Sequence, residues 1–242
     1  YAVVLCSDIP GDETLQERMV ATFSREGERW EVIHPAAEDF LDRAVGCAGY
    51  VISGSPMSVV DDAGTLLVRN LFAFLRQQAE PGGAPVIGLC FGSQAIAAAL
   101  GGEVGRNPSG QFKLGVDRLQ WSAAGRALLA APDHGEPTVL VQSHGECVTS
   151  LPRQAITLAS SATVPHEIFL VAGQFLGIQG HPEVDGPYLQ QKFMVYHRSL
   201  FDEVQWRQVQ DESHHLLHPG AVIALGRHLL DVGRLVIANQ LA

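Results

Sequence analysis

Residues 85–94 have the sequence Pro85-Val86-Ile87-Gly88-Leu89-Cys90-Phe91-Gly92-Ser93-Gln94, and this stretch decides the fold. The apolar run 86–89 predicts a buried strand of a parallel sheet. The Ala-rich run 94–100 predicts a helix by propensity. Because Cys90 lies at the junction of the two, we expect a sharp strand-to-helix turn in an α/β protein.

The spacing Gly88-x-Cys90-x-Gly92 is that of a nucleophile elbow with cysteine in place of serine. The two glycines avoid Cβ atoms that would clash in so tight a turn. The positive end of the following helix favours the thiolate form of the sulfur. We therefore predict that Cys90 is a catalytic nucleophile rather than a buried structural cysteine.

Composition excludes several classes of protein. The 242 residues carry a net charge of −10 without a cluster of Lys or Arg, which argues against a nucleic-acid partner. The four cysteines show no CxxC spacing, so we expect neither a disulfide framework nor a metal site, and a cytoplasmic location fits. No apolar run is long enough to cross a membrane.

Strand and helix patterns alternate along the chain, which predicts a mostly parallel sheet with helices on both faces. The predicted strands are 2–6, 30–33, 50–52, 86–89, 103–106, 111–121, 139–142, 155–160 and 175–179, and the predicted helices are 13–25, 40–44, 66–78, 94–100 and 122–131. The middle of the chain predicts antiparallel hairpin strands added to the sheet. The fold class is thus a three-layer, flavodoxin-like α/β domain over residues 1–185. A C-terminal helical extension, residues 186–242, should pack on that domain, with helical runs near 188–210 and 221–238.

Two more predicted strands end in residues that suit a cysteine nucleophile. The strand 50–52 runs into Ser53-Gly54-Ser55-Pro56, a small-residue turn whose N–H groups can stabilise an oxyanion. The strand 175–179 runs into Gly180-His181-Pro182-Glu183. Since residues i and i+2 of extended chain point the same way, Glu183 can orient His181 as a general base. His144 is a competing base, ranked lower because His181 has Glu183 held close through the stiff Pro182.

Taken together, these motifs resemble a class I glutamine amidotransferase over roughly residues 2–185. The resemblance rests on Gly88–Gln94, Gly101-Gly102, Ser143-His144 and His181-Pro182-Glu183. It implies a triad that cleaves γ-glutamyl amides through a thioester, without a cofactor or metal. In that triad Cys90 is the nucleophile, His181 the base and then the acid, and Glu183 the orienting carboxylate.

The resemblance also implies binding residues. The N–H groups of Phe91 and of the Gly54-Ser55 loop match the oxyanion hole of the family. Gln94 and the backbone of Ser143 and His144 match the site for the α-amino and α-carboxylate groups of the glutamyl moiety.

The motifs look most like stand-alone proteins similar to the glutaminase half of GMP synthase, including plant γ-glutamyl peptidases. The predicted function is hydrolysis of a γ-glutamyl peptide, a conjugate or glutamine. One alternative is a glutaminase subunit that supplies ammonia to a separate synthetase partner. Others are a non-catalytic binding or regulatory protein on the same fold and, ranked last, a small flavodoxin-like stress protein.

Two expectations concern regions outside the triad. The small Ser93 should widen the pocket for a leaving group larger than ammonia. The tail is too short for a synthetase domain and should cover the sheet edge or form a surface for a partner, which could be a second copy of the chain. Its His214, His215 and His218 lack a matching acidic or cysteine ligand, so no metal site is expected there.

Overall fold

A central eight-stranded sheet organises the computed structural model, which describes residues 1–7, 14–129 and 137–237. Numbered along the chain, the strands are β1 (Ala2–Val4), β2 (Glu31–Ile33), β3 (Tyr50–Ile52), β4 (Val86–Leu89), β5 (Glu103–Arg106), β6 (Lys113–Arg118), β7 (Gln120–Trp121), β8 (Val139–His144), β9 (Glu146–Ser150), β10 (Ala155–Ser160), β11 (Ile168–Val171) and β12 (Phe175–Ile178).

The strand order of the large sheet is β2-β1-β3-β4-β12-β11-β10-β7. Pairing is parallel from β2 to β12 and antiparallel from β12 to β7. Two antiparallel pairs, β5–β9 and β6–β8, stand beside it. This confirms the predicted α/β fold with a mostly parallel sheet and added antiparallel strands. It also places β4, which ends at Cys90, between β3 and β12 in the middle of the sheet.

Helices cover both faces of the sheet. They are α1 (Thr14–Phe23), α2 (Phe40–Arg43), α3 (Leu66–Gln78), α4 (Phe91–Ala99), α5 (Ala123–Leu128), α6 (Gly186–Tyr188), α7 (Met194–His197), α8 (Glu203–Glu212) and α9 (Gly220–Val232). A π-helical turn, Leu189–Phe193, joins α6 to α7, and a 3-10 turn, Arg198–Leu200, follows α7.

Three apolar clusters hold these layers together. Phe74 of α3 packs with Tyr50 on one face of the sheet, and Phe23 of α1 packs with Leu229 of α9 on the other. The third cluster joins the tail to the β6–β8 pair and consists of Leu114, Val116, Val139, Val141, Val184, Tyr188, Leu189, Met194 and Val209. The tail residues up to 237 therefore bury apolar side chains in two of the three clusters.

Several predicted boundaries differ from the structure. The predicted strand 111–121 is two strands, and β9 and β11 were not predicted although β11 is a continuous apolar run. The predicted helix 188–210 is interrupted before α8, because Asp202 caps α8 in a capping box with Gln205. Residue 13 of the first predicted helix, residues 130–131 of the fifth and residue 238 of the last lie outside the described residues.

Candidate active site

Cys90 occupies a strained turn that only flanking glycines permit. Its φ is +49° and its ψ −106°, a region that L-residues rarely adopt. A Cβ at Gly88 would lie 2.4 Å from the Gly92 carbonyl oxygen, and one at Gly92 would lie 2.7 Å from the Ile52 carbonyl oxygen. Both glycines are thus required for α4 to begin directly after β4.

His181 and Glu183 lie close together just after the end of β12, the strand that pairs with β4. His181 Nδ1 is 2.7 Å from Glu183 Oε1, and the backbone N–H of His181 donates to the Val141 carbonyl. Both side chains are buried, and the second carboxylate oxygen of Glu183 has no hydrogen-bond partner among the described residues. The negative charge of Glu183 is therefore balanced chiefly by the His181 ring.

The His181 ring is charged at neutral pH. Burial alone would lower the pKa of His181, but the Glu183 carboxylate and the Cys90 sulfur favour the imidazolium and raise that pKa to about 10. With Nδ1 held by Glu183, Nε2 is the nitrogen left to face Cys90. An imidazolium beside a cysteine is the arrangement that stabilises a thiolate.

The loop after β3 forms the opposite side of this centre. Ser53 Oγ accepts the Cys6 N–H at 2.8 Å and donates to the Gly54 carbonyl at 2.8 Å, which fixes the loop to β1. A Cβ at Gly54 would lie 3.1 Å from His181 Cε1 and 3.7 Å from Cys90 Cβ. Gly54 therefore lets the loop lie directly against both residues.

Two glutamines connect the sulfur to the neighbouring strands. Gln94 Nε2 donates to the Glu146 carbonyl at 2.9 Å and to Gln179 Oε1 at 3.3 Å. Gln179 Nε2 in turn points at Cys90 Sγ, 3.6 Å away. Gln179 was not among the predicted site residues. The sequence feature that could have identified Gln179 is its position directly after an apolar buried strand, at the same sheet edge as Cys90.

His144 is buried, and both ring nitrogens lie close to amide oxygens, of which a neutral ring can donate to only one. Nδ1 lies 3.0 Å from Asn107 Oδ1, and Nε2 lies 3.1 Å from Gln142 Oε1. Burial, followed by the charge on His181, lowers the pKa of His144 to about 3, so the ring is neutral. These contacts disfavour His144 as the base for Cys90 and make it a support for the strand β8.

A buried carboxyl group continues this polar chain. Glu167 is fully buried, and its Oε2 accepts from Gln142 Nε2 at 3.2 Å. Burial raises the pKa of Glu167 to about 7. The main-chain carbonyl of Glu167 also accepts the Gln179 N–H, so this residue supports both β8 and the end of β12.

Ser93 does not act as expected. It is fully buried, its Oγ donates to the Cys90 carbonyl at 2.7 Å, and it is absent from the cavity wall. The expectation that Ser93 widens the pocket is therefore wrong, because its side chain points back into the first turn of α4. Ser143 does face the cavity, and its carbonyl lies 3.7 Å from Cys90 Sγ.

A cavity of about 850 Å³ opens over Cys90. The predicted residues on its wall are Gly54, Ser55, Cys90, Phe91, Gln94, Ser143, His144 and His181, whereas Glu183 lies behind His181. The tail supplies much of the remaining wall between residues 191 and 200, including Phe193, whose ring is 5.0 Å from the His181 ring in an edge-to-face contact. No sequence pattern assigned Phe193 to the site.

Within the described ranges, no three His, Cys, Asp or Glu side chains are grouped so that they could hold a metal ion. No helix of residues 14–129 or 137–237 is both long and apolar enough to span a membrane.

Comparison with known proteins gives consistent results. Residues 14–195 match the family model of glutamine amidotransferase class-I. Gamma-glutamyl peptidase 3 of Arabidopsis thaliana is 30% identical over 199 residues, which cover 80% of this chain and 77% of the peptidase. GMP synthase [glutamine-hydrolyzing] of Leifsonia xyli is 35% identical over 139 residues, or 57% of this chain and 26% of the synthase. The chain thus spans about a quarter of that synthase.

Solved structures share the fold. A glutamine amidotransferase from Thermotoga maritima superposes with a TM-score of 0.68 at 19% identity, covering 96% of this chain and 97% of the other. A glutamine amidotransferase from Methylobacillus flagellatus gives a TM-score of 0.66 at 18% identity, with coverage of 97% and 94%.

Proposed function

The chain belongs to the class I glutamine amidotransferase family, and we propose that it hydrolyses γ-glutamyl amides with Cys90 as the nucleophile. The observation that carries the proposal is the position of the His181 ring, held by Glu183 at 2.7 Å and set against Cys90 at the end of the central strand, where its pKa is raised. A protein that only binds its ligand has no need of a buried imidazolium beside a strained cysteine.

The first step forms a thioester. The Cys90 thiolate attacks the γ-carbonyl carbon, and the oxygen becomes an oxyanion. The Phe91 N–H, in the first turn of α4, and the N–H groups of the Gly54-Ser55 loop stabilise this charge. His181 Nε2 gives its proton to the leaving nitrogen, the C–N bond breaks, and the amine departs.

The second step releases glutamate. His181, now neutral, accepts a proton from a water molecule whose oxygen attacks the thioester carbon. The C–S bond breaks, and the thiolate and the imidazolium are restored. Glu183 stays ionised in both steps and holds the tautomer of His181. Gln179, which donates to Cys90 Sγ, helps to stabilise the sulfur when it carries negative charge.

The glutamyl moiety binds on the α4 side of Cys90 in this proposal. Gln94 and the backbone of Ser143 and His144 take its α-amino and α-carboxylate groups. Asn107 supports that backbone, since its Nδ2 donates to the His144 carbonyl at 2.8 Å.

The substrate is a γ-glutamyl peptide or conjugate rather than glutamine. Glutamine loses only ammonia, whereas the cavity of about 850 Å³ is near the upper end of the range for small-molecule sites. The similarity to gamma-glutamyl peptidase 3 over most of both chains supports the same choice.

The second candidate is a glutaminase that supplies ammonia to a synthetase partner. The similarity to part of GMP synthase favours it. A glutaminase of that kind should have little activity without its partner, because free ammonia is wasted.

The test is a hydrolysis panel with purified protein and the Cys90→Ala variant. The panel contains glutamine, γ-glutamyl dipeptides, a γ-glutamyl S-conjugate and a folyl-polyglutamate, and kcat/KM is measured without any added protein. We expect Cys90-dependent release of glutamate, with a dipeptide or conjugate preferred over glutamine. If glutamine is the preferred substrate, or if no substrate is hydrolysed until a second protein is added, the ammonia-supplying function replaces the peptidase function.

A further inference from the structure

The tail places one stripe of side chains along the cavity, starting at the catalytic ring. Phe193, Tyr196 and Leu200 belong in turn to the π-helical turn, to α7 and to the 3-10 turn, and all three line the cavity. Phe193 is half-buried against His181, whereas Tyr196 and Leu200 are each 55% exposed and line the outer cavity. The stripe therefore leads from His181 to solvent.

The position of this stripe identifies the part of a substrate that it meets. In the proposed reaction the leaving nitrogen must lie at His181 Nε2 to take its proton. Any group attached to that nitrogen extends away from His181 on the side that the glutamyl moiety does not occupy. Phe193 contacts the His181 ring, so the stripe begins beside the group that protonates the leaving amine.

Three exposed large apolar side chains lie between residues 195 and 200 on this wall. Val195, at 70% exposure, lies beside Tyr196 and also lines the cavity. Clustered exposed apolar residues next to a cavity mark ligand sites, whereas single ones do not. Met57, from the loop after β3, lines the same cavity with a side chain that adapts its shape.

Aromatic rings extend the same wall without adding charge. The His197 ring lies 4.8 Å from the Tyr196 ring and 4.5 Å from the Phe112 ring, and all three residues line the cavity. Burial, followed by the charge on His181, lowers the pKa of His197 to about 4, so this ring is neutral when His181 is charged. These rings favour an aromatic or aliphatic ligand group, and the charged Lys192 and Arg106 line other parts of the cavity.

From this geometry we infer that Val195, Tyr196 and Leu200 form a leaving-group subsite that selects γ-glutamyl amides whose amine carries an aromatic or large aliphatic side chain. The inference rests on the proposed function and names its substrate class. The three residues take no part in the chemistry, and they act by binding the amine portion before and during its protonation by His181.

The experiment compares γ-glutamylphenylalanine with γ-glutamylglycine, which differ only in the side chain of the leaving amine. Wild type should give a kcat/KM at least about tenfold higher for the phenylalanine compound. Tyr196→Ala and Leu200→Ala should each lower that value about fivefold to tenfold and change the glycine value less than about twofold. Tyr196→Phe should retain the preference, because the ring supplies the contact.

Leu216→Ala is the matched control, since Leu216 is 78% exposed and is not on the cavity wall. It should leave both values unchanged. Equal kcat/KM for the two dipeptides in wild type, or an equal loss for both in the tail variants, overturns the subsite while the proposed hydrolysis stands. Absence of Cys90-dependent hydrolysis of every γ-glutamyl compound overturns both.

Discussion

The elbow at Cys90 and the tail wall at residues 191–200 both face the same cavity but are held in different ways. At the elbow, the backbone of Gly92 leaves no room for a Cβ at Gly88, the backbone of Ile52 leaves none at Gly92, and Cys90 is only 6% exposed. The tail wall instead rests on apolar side chains above the β6–β8 pair, and its outer residues are open to solvent. The comparison separates a part that is rigid enough for chemistry from a part that can vary with the substrate.

Replacing the nucleophile should give the largest effect. Cys90→Ala is expected to lower kcat by at least about four orders of magnitude for every γ-glutamyl substrate, because no thioester can form. Cys90→Ser should be nearly as inactive, and both variants should keep the wild-type melting temperature within a few degrees. Near-normal turnover by either variant would show that Cys90 is structural. The elbow would then not be the catalytic region of the cavity.

Glu183→Gln tests how catalysis at Cys90 and His181 depends on the negative charge of Glu183. We expect kcat to fall about a hundredfold, since the amide still orients His181 but no longer stabilises its cation. In wild type the proton that His181 donates is present below its pKa of about 10, so kcat/KM should stay level through neutral pH and decline near pH 10. Without the carboxylate the pKa falls, and the decline should begin at lower pH.

The pH profile from pH 6 to 10.5 measures this change, with Glu103→Gln, at an exposed position of β5, as the control. If kcat/KM of Glu183→Gln declines at the same alkaline pH as that of the wild type, a group other than His181 is responsible for the decline.

Phe193→Leu tests a residue of the tail wall that contacts the His181 ring. Loss of the edge-to-face contact, worth about 1 kcal/mol, should loosen His181 and lower kcat about fivefold for glutamine and dipeptides alike. Steady-state kinetics on γ-glutamylphenylalanine and γ-glutamylglycine should show an unchanged preference. Phe72→Leu, at a half-buried position of α3, is the control. A change in preference without a change in kcat would assign Phe193 to the subsite instead.

Glu167→Gln should have the smallest effect on turnover and a measurable one on stability. The folded-state pKa of Glu167 is about 7, against an ordinary value of 4.5. Between these values the folded protein holds a proton that the unfolded chain has released. The free energy of unfolding therefore falls as pH rises through this window, by on the order of 2 to 3 kcal/mol.

Urea unfolding of both proteins at pH 5 and pH 8 isolates this contribution. The wild type should lose more stability than Glu167→Gln between the two pH values. The raised pKa of His181 also lowers stability at alkaline pH, but equally in both proteins, so it cancels in the difference. Equal pH dependence would mean that Glu167 is already ionised at pH 5.

Most of the catalytic part of the site, the elbow and the residues around Cys90, could be predicted from local sequence patterns. The sheet, the elbow glycines and the small-residue loop at Gly54 follow from runs of fewer than about ten residues, because strand and turn preferences are local. The pairing of His181 with Glu183 follows from their spacing in extended chain. The structure brings these residues together with Cys90, as β12 pairs with β4.

Long-range contacts explain what could not be predicted. Phe193 reaches His181 only because the tail folds back over β6 and β8, which no local pattern specifies. Ser93 appears in the right place in the sequence to shape a pocket, but the geometry of the first helical turn directs its hydroxyl to the Cys90 carbonyl. Gln179 had a recognisable position, although its contact with the sulfur depends on the parallel register of β12 and β4.

The π-helical turn Leu189–Phe193 sets the winding of the tail that follows it. A π turn holds one residue more than an α turn, and each residue of an α-helix advances the side-chain direction by about 100°. If the same residues formed an ordinary α turn instead, the side chains that follow, including Tyr196 and Leu200, would be rotated by about that angle relative to the cavity wall. The width of this turn, and not only the identity of its residues, therefore decides which side chains a substrate meets.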